Sequence, residues 1–537
     1  MVFIIFGEVK IRVGKICFLF CLALLSLPSY SLAEEIKGDS ANVLIDSIAV
    51  ETKNVFNTDS AQFKGWLFKA ANRFHVKTRD FVISRELLLK KGEPYDTLLA
   101  AETERNLRML PFIFDARVEL ENNDGTKVLK VTTSDRWTLA GGPSISRNAG
   151  QTVIEIGFEE LNLLGYGQYL AFHRYFRSID EDYSDFSFIE RRLFSSRYYL
   201  SLYYNNAPEI GRKSLTLKMP LYSLSSHFSY GVSISNIYRF DEYYEHGAKA
   251  AQDRMQGTYF ESFFLTQFGT YESKVQMGVN YLYADLTSSD RIGAGFRLPS
   301  DSLYHLIMLQ MGLLRTEYQS TSRINGFRRI EDINLTNGAV LKYGRAFNTW
   351  NRHSIYDILS FSYQYSVSKD YGYLFLGMER NYWFKENIDF RRQLILSAKY
   401  YNNSLAWVTP VIAVYHVIDE RLDDNKVIYA GENYGLRGYP KNFDNGEKLL
   451  RINYENRLFS WVNIMSVDIG AVQFVDLGQI RSMGEGFDIG HWLWSVGVGL
   501  RLGMEKISNA ELMRIDLAYA PEIKNWQISA GIGQYIQ

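Results

Sequence analysis

From Trp137 to the C-terminus, apolar and polar residues alternate with a period close to two, broken by clusters of turn residues. Kept up over about four hundred residues, this alternation constrains the fold more than any other feature, because period two puts successive side chains on opposite faces of a strand. The last segments are the clearest. In LRINYENRLF, Arg451, Asn453, Glu455 and Arg457 share one face, and Leu450, Ile452, Tyr454 and Leu458 the other. In VDIGAVQFVDLG, Asp468, Gly470, Val472, Phe474, Asp476 and Gly478 oppose Val467, Ile469, Ala471, Val475 and Leu477. LWSVGVGLRLG sets Trp494, Val496, Val498, Leu500 and Leu502 against Ser495, Gly497, Gly499 and Arg501. MRIDLAY repeats the scheme with Arg514 and Asp516, and WQISAGIGQYIQ keeps it through Ile528, Ala530 and Ile532.

Strands with one apolar and one charged face build either a soluble sandwich or a membrane barrel. A sandwich hides its apolar faces against a second sheet and scatters Thr and Lys outside, whereas here the charged positions are interleaved with glycine and flanked by rings. Aromatic residues make up 15% of the chain, with 37 Tyr and 34 Phe, although the mean hydropathy is slightly negative. Barrels use such rings as girdles at both membrane interfaces while polar side chains face the lumen. Beyond residue 33 no apolar run reaches the length of a spanning helix, so any crossing must be made by a closed barrel. The expectation is a mainly β protein, a transmembrane antiparallel barrel over residues 136–537, with about 18 to 20 alternating segments.

Residues 1–33 read as a secretory signal peptide: Lys10, Arg12 and Lys15 precede the apolar run ICFLFCLALLSL, which ends at Ser31-Leu32-Ala33, a small-x-small cleavage site. Both cysteines, Cys17 and Cys21, lie inside it, so the mature chain is expected to hold no disulfide and no thiolate metal site. A net charge of −1 gives no attraction to nucleic acid. No G-x-S-x-G elbow, H-E-x-x-H pair or Cys/His cluster is present, and no catalytic residue, cofactor or metal is expected.

Residues 34–135 are different. Short strands enclose two helical patterns: Thr78 is placed to cap RDFVISRELLLKK, which Gly92 ends, and a second helix runs from Thr97 to Leu110 before Pro111. With LIDSIAV as opening strand and a hairpin turning at Asn123-Asp124-Gly125, the order is β-α-α-β-β. The segment from Phe56 to His75 has no place in it.

That order, and the sequences KTRDFVISRELLLKKGEPYD and ETERNLRMLPFIFDARVEL, resemble a POTRA domain, the polypeptide-transport-associated module of outer-membrane assembly proteins. The late segments resemble the BamA/TamA superfamily, which includes the two-partner-secretion transporters. LRGYP (436–440) matches the Arg-Gly-Tyr/Phe motif of its long sixth extracellular loop, YENRLF (454–459) a Glu-x-Arg strand and FVDLG (474–478) a Phe-x-Asp-x-Gly strand. NLLGYGQYL (162–170) is similar to the early NxLGxG turn and RIDLAY (514–519) to the penultimate strand. The resemblance implies sixteen strands, and a loop that folds back so that its arginine meets acidic groups on the lumen wall. Here Arg437 would bridge Glu455 and Asp476, with Gly438 turning the loop, Tyr439 stacking on the wall and Gly478 closing the strand motif. In a water-filled lumen such a pair is worth only about 0–1 kcal/mol. The chain departs from the family in ending Tyr535-Ile536-Gln537, without a terminal aromatic residue.

The implied function is an outer-membrane insertase or assembly factor, its N-terminal domain in the periplasm, that takes unfolded client polypeptide and inserts it into outer-membrane lipid. Periplasmic chaperones or accessory proteins are further candidate partners. The alternatives are a pore secreting one exoprotein, or a barrel that only anchors. An insertase needs a seam, and Gly531 and Gly533 in the last strand, facing Gly141-Gly142-Pro143 in the first, would supply few contacts.

Overall fold

The structure, a computed structural model, describes residues 43–536 apart from 149–150, 179–180, 246–247, 293–301, 349–353, 386–387, 422–427, 489 and 509–510. The expected signal peptide, Cys17, Cys21 and Gln537 lie outside the described residues.

The N-terminal domain runs β1 (Ser47–Lys53), α1 (Trp66–Phe74), α2 (Asp80–Ser84), α3 (Thr97–Arg108), β2 (Ile113–Asn123) and β3 (Thr126–Asp135). β3 is central, parallel to β1 and antiparallel to β2. Asp96 caps α3, its side chain accepting from the N–H groups of Leu98 and Leu99 at 2.7 and 3.1 Å, and left-handed Asp124 and Gly125 make the hairpin turn. Ile83, Leu107, Phe112, Leu129 and Val131 fill the core. Two sequence expectations are corrected. The helix expected between Thr78 and Gly92 is only the five residues of α2, because its neighbours turn to the barrel instead: Thr78 accepts from the Asn162 side chain at 2.8 Å and Glu86 pairs with Arg192. The unassigned segment contains a helix of its own, α1.

Twenty antiparallel strands, from Leu139–Asn148 to Asn525–Ile532, close into a barrel. The sixteen implied by the family resemblance is thereby corrected. Period two is indifferent to strand number, so the alternating pattern does not reveal how many strands close the ring. Outward side chains such as Ile156, Phe264, Leu309, Val498 and Ile515 are exposed in a ring of apolar surface, for which only lipid is a compatible solvent. No helix among the described residues is long and apolar enough to cross a membrane.

The N-terminal domain is docked across one mouth of this barrel and touches its turns from residue 162 round to residue 511. Arg79 N–H donates to the Gly165 carbonyl at 3.1 Å. Glu102 accepts from Ser223 Oγ, Leu224 N–H and Tyr271 Oη at 3.1, 2.7 and 2.9 Å. Arg108 makes a two-pronged bond to Asp332 at 2.8 and 2.7 Å, and Arg136 pairs with Glu511.

Candidate functional site

The loop that follows the 408–421 strand re-enters the barrel. A short hairpin, Ile428–Ala430 with Asp444–Gly446, holds its base, and residues 431–440 descend to the wall formed by Lys448–Ile464, Val467–Arg481, Leu493–Gly503 and Leu512–Ala520. Strand register lays the inward positions side by side: Asn453 opposes Asp476, Glu455 opposes Phe474, and Arg501 opposes Arg514.

Arg437 sits at the centre, 1% exposed. Its Nε and Nη2 donate to the two oxygens of Asp476 at 2.8 and 2.9 Å, its backbone N–H to the same carboxylate at 3.2 Å, and its Nη1 to Glu455 at 2.9 Å. The planar guanidinium fits this two-carboxylate cradle in a way an ammonium could not. The rings of Phe474 and Tyr535 lie against it, 3.5 and 4.2 Å from its central carbon. Gly438 turns the chain at φ +88°, where a side chain would be strained. Tyr439 is fully buried, with its hydroxyl bonded to the backbone of Trp494. A Cβ on Gly478 would strike Leu436 of the loop at 2.6 Å, so its bare backbone is the seat for that side chain. The structure thus brings Arg437, Gly438, Tyr439, Glu455, Asp476 and Gly478 together.

The cluster is larger than the motifs suggested. Arg457 pairs with Glu455 at 3.0 Å, and Asp516 holds Arg501 at 2.6 Å and Arg514 at 2.9 Å while facing Arg437 at 3.7 Å. Glu455, Asp476 and Asp516 are wholly buried, which corrects the expectation of a watered pair. The signal for these partners was in the sequence: Arg457, Arg501, Arg514 and Asp516 all fall on the inward set of their strands.

Gly531 and Gly533 lie elsewhere, in and just after the last strand. A Cβ on Gly531 would meet the Arg514 guanidinium at 2.9 Å. At Gly533, φ +78°, the chain leaves the wall and enters the lumen. Gln534 accepts from Arg501 Nε at 3.0 Å, Tyr535 donates to the Glu432 carbonyl at 2.7 Å, and the Ile536 carbonyl accepts from Arg457. Residues 534–536 are therefore bonded to the loop and the charge cluster. Beside them a cavity of about 950 Å³ is lined by Arg451, Asn453, Arg514, Tyr535 and four consecutive residues of the last strand, Gln527 to Ala530. The first strand, Leu139–Asn148, lies on the other side of the last strand and closes the ring. The last strand's outward side chains are the more open ones: Trp526, Ile528 and Ile532 are 64–73% exposed, against 38–55% for Trp494, Val496, Val498 and Leu500 two strands away. The first strand beside them contains Gly141, Gly142 and Pro143, which offer little side chain to cover them.

At the domain interface, burial opposes the charge on Arg108, yet its bonds and attraction to Asp332 hold its pKa above the ordinary value. Lys506, in a turn of the barrel, donates to the Val55 carbonyl at 2.6 Å, and burial pushes its pKa down. The sequence reading missed Glu86, Glu102, Arg108, Arg192 and Asp332, because a charged side chain on a helix, turn or strand end ordinarily faces water.

The fold and this lumen define a transmembrane β-barrel with a small domain docked on one mouth and an inward-folded, arginine-locked loop. No family model and no curated relative matches the chain. Among solved structures it is similar to BamA from Haemophilus ducreyi lacking POTRA domains 1–3 (12% identity, TM-score 0.36, covering 91% of this chain and 83% of that one). It is also similar to CdiB from Acinetobacter baumannii (10%, 0.40, 91% and 74%) and CdiB from Escherichia coli (10%, 0.43, 98% and 97%).

Proposed function

We propose that the protein is an outer-membrane insertase or assembly factor that releases polypeptide sideways, between its last and first strands, into the bilayer. The observation that carries this reading is the exposure of Trp526, Ile528 and Ile532 on the last strand, beside a first strand that contains Gly141, Gly142 and Pro143. Along the barrel axis, by contrast, passage would need the docked domain and the locked loop to move together. In this reading the N-terminal domain, on the periplasmic side, receives unfolded client by strand addition. β2 is a poor template, because its outer edge is already bonded: Val118 N–H donates to Glu104 at 2.7 Å and the Ala116 carbonyl accepts from Arg108 at 3.2 Å. β1 has a strand neighbour, β3, on one side only among the described residues, and it is the edge that a client would join. No chemical step is required.

The test is a disulfide across the junction. Cys pairs are scanned between residues 144–147 and 528–533 in the mature chain for one within the roughly 5.5–6 Å between Cα atoms that a disulfide spans. Locking that pair is expected to stop client assembly, and reductant to restore it. A locked barrel that still assembles clients would sink lateral release and favour transport through the lumen.

A further inference from the structure

Among the described residues, nothing covers the apolar face that helix α1 makes with Trp66, Leu67 and Phe74. Its inner side is pinned: Phe68 packs on Phe56 and Phe63 at centroid distances of 4.9 and 5.2 Å, and the Asn72 amide bonds both the N–H and the carbonyl of Phe56 at 3.1 and 2.7 Å. At 100° per residue, Trp66, Leu67 and Phe74 fall together on the opposite side, within an arc of about 100°. Trp66 and Phe74 are 75% and 77% exposed, and Val76, just beyond, is exposed as well. Between Asp59 and Asp80 there is no carboxylate, while Lys64, Lys69, Arg73, Lys77 and Arg79 supply five positive charges.

The helix has a fixed place relative to the barrel. Gln62 bonds Asn463 at 2.6 Å, and Lys506 bonds Val55 while its ammonium lies 5.5 Å from the Phe63 ring. Both tethers are at the barrel mouth. The turn that carries Asn463 exposes Trp461, Ile464 and Met465, and Trp461 packs on exposed Trp407 at 6.1 Å. Such rings mark the level where hydrocarbon gives way to headgroups. An apolar, aromatic face flanked by lysine and arginine, tethered to the mouth beside those rings, matches a lipid surface.

We infer that α1 is an interfacial helix: Trp66, Leu67 and Phe74 enter the periplasmic leaflet beside the barrel, and Lys64, Lys69, Arg73 and Lys77 bind anionic lipid headgroups. The domain is then held to the membrane as well as to the barrel mouth, whichever way polypeptide moves.

The test uses the full mature chain, which has no cysteine after Cys21. A fluorophore on Phe74→Cys, and a control on Asp124→Cys at the exposed β2–β3 turn, are reconstituted in phosphatidylcholine vesicles with phosphatidylglycerol as the anionic component and brominated acyl chains as quencher. Quenching is expected at position 74 and not at 124. Lys69→Gln and Arg73→Gln, in barrels whose heat-modifiable gel shift is intact, should each weaken the contact about fivefold, the equivalent of about 1 kcal/mol per charge near an anionic surface. Equal quenching at 74 and 124 would overturn the inference. So would shielding of the 74 probe that appears only on adding periplasmic extract, since the face would then belong to a protein ligand.

Discussion

Around Arg437, four guanidiniums and three buried carboxylates from the loop and four adjacent strands are bonded to one another. One strand further on, the last strand has a full register with residues 512–520 on one side and the first strand, with Gly141, Gly142 and Pro143, on the other. The wall is stiffened next to the proposed seam. Rigidity there is useful to a seam: if the wall yielded too, strain at the junction would spread through the sheet instead of parting one pair of strands. The tail joins the two regions, since Tyr535 follows the last strand and lies on Arg437.

The largest expected effect comes from breaking the wall. Arg437 is the only cation paired with Asp476 among the described residues, so Arg437→Ala leaves a fully buried carboxylate with Asn453 as its remaining side-chain partner, at 2.6 Å. Removing one member of such a pair costs about 3–5 kcal/mol. The thermal midpoint of the heat-modifiable gel shift should fall, and Arg437→Ala with Asp476→Asn should recover part of the loss, because the orphaned charge is removed. A midpoint unchanged by Arg437→Ala would mean that water reaches the cluster.

A smaller effect is expected at the mouth. Arg108→Ala removes the paired bonds to Asp332, which keeps Ser320 as a donor at 2.8 Å, so about 1.5–3 kcal/mol is at stake. Unlike the lumen cluster, this interface is a set of separate contacts spread round the mouth. Its loss should loosen the domain without melting the barrel, read as faster proteolysis at residues 34–135 with an unchanged gel shift. A lowered barrel midpoint would show that the domain braces the wall.

These regions were not equally legible in the sequence. The Arg437 cluster could be anticipated because strand alternation assigns each side chain a face, and motif order then brings Arg437, Glu455 and Asp476 to one wall. Asp516 and Arg501 were on the correct face, but their distance from Arg437 depends on register across the 493–503 strand, which local pattern does not encode. The docked domain was illegible for a different reason. Glu86 and Arg192 are separated by more than a hundred residues, and each looks like an ordinary surface charge until the partner is known. Strand number also escaped, since closure is a property of the whole ring. Helix α1 was hidden by its composition: a short helix with Trp66 and Phe74 outward fits no soluble core.

The smallest expected effect bears on the tail. Tyr535 contributes a ring 4.2 Å from the Arg437 guanidinium and a hydroxyl bonded to Glu432 of the loop. A cation over an aromatic face is worth about 0.5–2 kcal/mol, more when water is excluded. Phe474 still faces Arg437 at 3.5 Å when Tyr535 is gone, so Tyr535→Ala should lower the thermal midpoint much less than Arg437→Ala. Its effect should appear at the junction instead. Freed from the loop, the segment after Gly533 no longer steadies the end of the last strand, and any Cys pair that bridges the junction should oxidise faster. Tyr535→Phe separates the contributions, because it keeps the ring on Arg437 and loses only the bond to Glu432; its oxidation rate should lie near that of the unchanged chain. If Tyr535→Ala leaves that rate unaltered while lowering the midpoint as far as Arg437→Ala does, the tail belongs to the wall and has no hold on the seam.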